Sequence, residues 1–198
     1  MKVSAMNTAL RRTVLIVALL NLAYFGVEFA VALRIGSVSL FADSVDFLED
    51  ASVNLLIFFV LAWAATTRAR VGMVLAGILL VPALALLWAL WSKFANPVPP
   101  EPFALSITGA GALAVNLFCA FLLARFRAHS GSLTRAAFLS ARNDAIANVA
   151  IIGAGLVTAY LWPSVWPDVI VGLAIAAMNI DAAREVWEAA REEHSAAA

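Results

Sequence analysis

The chain has 198 residues, 64% of them apolar and only 13% charged, against about 25% charged in an ordinary soluble domain. With a mean hydropathy of +0.93 and thirteen basic residues balancing thirteen acidic ones, the composition excludes a soluble globule and a basic nucleic-acid-binding face. One cysteine, Cys119, and two histidines, His129 and His194, exclude a disulfide framework, a thiolate cluster and a His-rich metal tract. Oxygen is therefore the expected donor for any metal chemistry.

Lys2, Arg11 and Arg12 precede an apolar run over 13–33. Ala30 and Ala32 resemble a signal cleavage site, but the run is too long for a signal h-region and suits a membrane span. Further spans are expected at 38–62, 71–92, 103–124, 136–161 and 166–183, each near the length that crosses about 30 Å of hydrocarbon. The pattern predicts an all-α membrane protein of six transmembrane helices, with 1–12 and 184–198 outside the bilayer. Residues 34–37 read as a tight turn, and the proline-rich stretch 96–102 cannot be helix. Pro163 and Pro167 break the chain between spans five and six, and Pro82 reads as a kink within span three. The 184–198 tail reads as a short polar helix with Arg184 and Glu188 paired at i,i+4.

Charge asymmetry sets the direction. Lys2, Arg11, Arg12, Arg68, Arg70, Arg125, Arg127, Arg135, Arg184 and Arg191 fall on one side of the expected bilayer, Arg34 and Lys93 on the other. This bias predicts that both termini face the cytoplasm of a cell (inner) membrane protein. Trp63, Trp88, Trp91, Trp162, Trp166 and Trp187 fall near span ends, as interfacial anchors do.

Acids inside the spans carry the functional signal, because each costs about 2.5–3.5 kcal/mol to insert. Span one holds Glu28; span two holds Asp43, Asp46, Glu49 and Asp50; span five holds Arg142 and Asp144. Asp46, Asp50 and Asn54 are spaced four apart and share a helix face, whereas Glu49 points elsewhere. Ser140, Asp144 and Asn148 repeat the spacing on span five. Two matching motifs on oppositely directed spans suit a 3+3 inverted repeat. Counting 1.5 Å per residue puts Asp50 and Asp144 each about 18 Å from the outer face, so the two can meet near the midplane.

Such carboxylates need a cation among them, protons on them, or Arg142 paired with Asp144 or Asp50. Alternation of the first two states describes a cation/proton exchanger. Asp and Asn oxygens favour hard divalent cations such as manganese, magnesium or ferrous iron. Asp43 reads as solvated near the outer end, or else as a ligand on the way in. Glu28 either extends the path or pairs with a neighbouring helix. Cys119 reads as packing, His129 as a solvated loop residue, and the pair Gly153 and Gly155 as a place where helices approach closely. No nucleophile–base pair or cofactor motif suggests an enzyme.

The stretch Gly36-Ser-Val-Ser-Leu-Phe-Ala-Asp-Ser-Val-Asp46-Phe-Leu-Glu-Asp50 resembles the second-helix signature of the cation diffusion facilitator family. Asn21 and Glu28 resemble its first helix, Asn116 its fourth, Arg135 to Asp144 its fifth, and Trp166-Pro-Asp168-Val-Ile-Val-Gly172 the start of its sixth. The resemblance implies six helices, commonly a homodimer, and export of a divalent cation such as zinc, manganese, iron or cobalt in exchange for protons. It also implies a transport site at Asp46, Asp50, Ser140 and Asp144. Two departures stand out. Ser140 replaces the family's histidine, a poor exchange for zinc binding or proton uptake, so Asn148 or Asn143 is expected to supply the missing oxygen. The family's cytoplasmic metallochaperone-like domain is not expected in this sequence, which leaves any homodimer to the transmembrane helices. The competing expectation is a transport-inactive metal-binding or interaction subunit of the same fold.

Overall fold

The computed structural model describes residues 2–60, 84, 86–124, 126 and 132–178, without the side chains of 2–7, 56, 57, 59, 60 and 132–140. Most of the expected third span with its Pro82 kink, Trp63, His129, the 184–198 tail and the Ser140 side chain lie outside the described residues. Every described regular element is a helix: α1 (Lys2–Ile35), α2 (Val38–Val60), α3 (86–95), α4 (Pro102–Ala124), α5 (Ser132–Tyr160) and α6 (Trp166–Met178). Among these, Thr8–Ile35 and Pro102–Ala124 are long and apolar enough to cross a membrane, with mean hydropathies of 2.2 and 2.0.

Helix α1 begins well before the apolar run. Residues 3–12 contain neither proline nor glycine, so backbone hydrogen bonding continues past the point where apolar side chains stop. It ends at Gly36, whose φ of 62° is the left-handed conformation that glycine adopts without a Cβ penalty. The Ser37 N–H then returns to the Ala32 carbonyl at 3.2 Å, closing the helix end and reversing the chain into α2. At the other sharp boundary, Pro102 opens α4 while the Glu101 carboxylate accepts the N–H groups of Phe103 at 2.9 Å and Ala104 at 2.5 Å. Proline at the first helical position and an acid at the N-terminus both suit unpaired helix donors.

Helix α1 packs on α2 and α4 on α5; contacts of α1 with α4 and of α2 with α5 close the four into a ring. Tyr24 ties α1 to α4 through its hydroxyl, which donates to the Thr108 carbonyl at 2.6 Å. Gly155 lets α5 approach Ser106 of α4, whereas Gly153 faces open space. Only the first of the two glycines therefore plays the role expected of the pair.

Two apolar clusters plug the ends of the ring. The one near the Gly36 turn joins Ala32, Val38, Leu40, Phe41, Leu105, Ile151 and Val169. The other joins Val14, Val17, Cys119, Leu123 and Ala141. The buried polar side chains Asn21, Glu28, Asp43, Asp46, Asp50, Asn54, Asn116 and Asn148 fall between these clusters along the helices. The bundle thus carries a layer of buried acids and amides between two apolar clusters.

Candidate functional site

Helix α2 carries most of the layer. Its residues Asp43, Asp46, Asp50 and Asn54 recur every three or four positions and so line one face. Asp46 and Asp50 are 9% and 8% exposed, well short of full hydration. Asp144, half-buried on α5, comes within hydrogen-bonding reach of Asp50 and within direct Coulombic range of Asp46. The structure therefore brings together the three carboxylates that the spacing singled out. Among the described residues, no three His, Cys, Asp or Glu side chains are arranged as a ready metal cage.

Donors in this layer are few. Asn21 of α1 donates through Nδ2 to Asp50 Oδ2 at 3.4 Å and accepts the Cys119 thiol on Oδ1 at 3.6 Å. Asn54 and Asn148 behave alike: each donates its amide to the backbone carbonyl four residues back, Asp50 or Asp144, at 2.8 Å. That bond fixes the side chain and leaves the amide oxygen buried with no donor on it. Two neutral oxygens on α2 and α5 thus stand one turn beyond two carboxylates, in matching positions. Such buried acceptors are costly unless something electropositive meets them.

A second pair of acids lies nearer the Gly36 turn. Glu28 of α1 and Asp43 of α2 are fully buried and face each other closely enough to share a proton. None of their four oxygens has a donor. This corrects the expectation that Asp43 is solvated. Water does not reach down from the end of the helix, because Val38, Leu40 and Phe41 seal that end. Glu28 turns inward toward Asp43 on the neighbouring α2.

The remaining expected residues divide. Asn143 is exposed and accepts from Arg142 Nη2 at 3.3 Å, so α5 presents Asn148 and not Asn143 to the layer. Arg142 is exposed as well, and among the described residues it donates to this neighbour on its own helix, not to an acid across helices, the alternative expectation for it. Ser140 lies in α5 two turns before Asn148, its side chain outside the described residues. Glu49 is exposed, yet it comes within Coulombic range of Asp46 and Asp144, which its helix face did not suggest. The contacts of Asn21 to Asp50 and of Cys119 to Asn21 were also missed. Their signal was Asn21 itself, a lone amide in the apolar run of α1.

Apolar helices around a layer of carboxylates and unpaired amide oxygens define a membrane protein that handles a cation within the bilayer. The family model of the cation efflux transmembrane domain matches residues 14–192, and the chain belongs to that family, whose members are transporters. No sequence among the curated proteins matches it. The protein is a membrane cation transporter by family.

Proposed function

We propose that the protein exports a hard divalent cation from the cytoplasm across the cell (inner) membrane in exchange for protons. Asp46, Asp50 and Asp144 bind the cation, with Asn148 as the neutral oxygen donor, Asn54 beside it, and Ser140 as the remaining α5 contributor. The observation that carries this reading is the surplus of acceptors: three carboxylates joined by two buried amide oxygens that have no donor. A divalent cation supplies charge and coordination to all of them at once; protons neutralise the carboxylates when it leaves. Glu28 and Asp43 extend the path toward the outer face. An oxygen-only ligand set favours manganese or ferrous iron over zinc, with cobalt behind them. The cytoplasmic excess of basic residues supports a multi-pass chain with both termini inside, and a homodimer would rest on lipid-facing helix surfaces.

The test is metal-resolved flux in liposomes under an imposed pH gradient, with zinc, manganese, iron, cobalt and magnesium compared. Asp50→Ala and Asp144→Ala are each expected to reduce flux to the protein-free background. Wild-type flux in both variants would falsify the site. The second reading, a transport-inactive metal-binding subunit, draws on Ser140 in the histidine position and on the lack of a preformed cage among the described residues. It gives saturable metal binding with no flux for any ion.

A further inference from the structure

The bond that holds α2 in place comes from the far end of the sequence. Asp168, in the first turn of α6, is fully buried. Its Oδ1 accepts the hydroxyls of Ser37 and Ser39, both at 2.6 Å, and the Ser39 N–H at 3.1 Å, while Oδ2 accepts the Val38 N–H at 2.7 Å. Ser37 Oγ in turn accepts the Leu40 N–H at 3.1 Å. The first three N–H groups of α2, which no helix can satisfy internally, are thereby all paired. Gly172, one turn further along α6, permits the approach: a Cβ there would lie 2.7 Å from Val38 Cγ1 and 2.8 Å from the Ser39 nitrogen. One carboxylate thus serves the N-termini of two helices, where the backbone dipole favours negative charge at both.

This clasp fixes depth and rotation together. Asp46 and Asp50 follow Val38 by eight and twelve residues on an unbroken helix, about 12 and 18 Å along its axis. A slip of one residue in α2 turns every side chain by about 100° and moves both carboxylates off the face they share with Asp144. We propose that Asp168 is a positioning residue for cation binding, acting through the first turn of α2 on Asp46 and Asp50. It rests on the cation-binding reading above, and it adds a residue that touches none of the proposed ligands.

The experiment measures manganese flux in liposomes and equilibrium manganese binding in detergent for the wild type, Asp168→Ala, Asp168→Asn and the double variant Ser37→Ala/Ser39→Ala. Asp168→Ala is expected to raise KM and the dissociation constant about ten-fold, the range seen when the support of a metal ligand is removed, with the maximal rate per folded protein little changed. Asp168→Asn keeps an oxygen for the serine hydroxyls and is expected to recover part of that loss. A KM within two-fold of wild type, or a fall in rate alone that tracks the amount of folded protein, overturns the proposal. Should Asp168→Ala fail to assemble, the double serine variant keeps both backbone bonds to Asp168 while losing the two hydroxyl bonds and the Leu40 N–H bond to Ser37 Oγ, and is expected to raise KM about three-fold; an unchanged KM there overturns it equally. Amide exchange across residues 43–50 needs no metal and is expected to quicken in Asp168→Ala. Unchanged exchange overturns the clasp even if the wild type binds no cation, an outcome that would by itself count only against the transport reading.

Discussion

Asp168 and Asp43 are both fully buried acids, both tied to the first half of α2, and they are opposites. Asp168 accepts four hydrogen bonds from two serines and two backbone amides. Asp43 accepts none, and it faces Glu28, which also accepts none. Burial alone therefore does not separate a structural acid from a working one. What separates them is whether the fold supplies donors. Four fixed donors make a carboxylate part of the framework, because its charge is answered whatever the protein binds. A carboxylate left without donors must look for its counter-charge in a proton or a cation.

The largest expected effect comes from removing a carboxylate at the centre of the layer. Asp50→Ala abolishes flux, yet it is expected to leave thermal stability equal to or above that of the wild type. The substitution removes a buried charge that lies beside Asn21 at 3.4 Å and that crowds Asp144. The answered carboxylate behaves in reverse. Asp168→Ala strands the Val38 and Ser39 amides, at about 1–3 kcal/mol for each buried donor left unpaired. Thermal unfolding of the two purified variants side by side checks this inversion. If Asp50→Ala proved the less stable of the two, donor count would not distinguish the two kinds of acid.

Next in size is Asn148→Ala, expected to weaken manganese binding about ten-fold, as loss of a ligand or its close support does. Asn54→Ala is expected to weaken it less, because Asp50 beside it keeps the Asn21 bond while Asp144 is half-exposed. Isothermal titration of both variants measures the difference. Equal, wild-type affinities would mean that the two amide oxygens are spectators.

How far the sequence could be read follows the same division. The acids of α2 and α5 stood out because charge is rare in apolar runs, and four-residue spacing placed them on one face. Asp43 was misjudged by depth alone: counting residues from a helix end assumes that water enters there, and the apolar seal of Val38, Leu40 and Phe41 is a property of packing. Asp168 gave no local signal of its partners. It follows Pro167 at a helix start, where an acid is ordinary, and its donors lie 129 to 131 residues away. The matching amides of Asn54 and Asn148 were visible as a spacing, but their unpaired oxygens were not. Which end of an amide is free depends on what its nitrogen finds nearby.

A smaller effect, on selectivity, is expected at the one α5 position where an imidazole is missing. Ser140→His supplies a nitrogen ligand and a group that titrates near neutral pH. Zinc flux is expected to rise relative to manganese, with a steeper dependence on pH between about 6 and 7.5, the range over which an imidazole changes charge. Competition between the two metals in the same liposomes reads the ratio directly. An unchanged ratio would place Ser140 outside the ion's coordination shell.

The smallest effect bears most directly on the comparison. Glu28→Gln exchanges one unanswered acid for an amide of nearly the same shape, and the amide brings two N–H donors. One of them can reach Asp43, since the two side chains already stand within hydrogen-bonding reach. A buried hydrogen bond to a carboxylate contributes about 1.5–3 kcal/mol, part of which offsets the cost of holding the new amide in place. The net expectation is a gain of about 1 kcal/mol, read as a rise of a few degrees in the melting temperature of the purified protein. The same bond gives Asp43 a fixed partner, as the serines give Asp168, and removes its reason to seek a cation or a proton. Flux is then expected to fall as stability rises. A variant that melts lower than wild type would mean that Glu28 already has its counter-charge, and the contrast between finished and unfinished acids would fail at the place where it is sharpest.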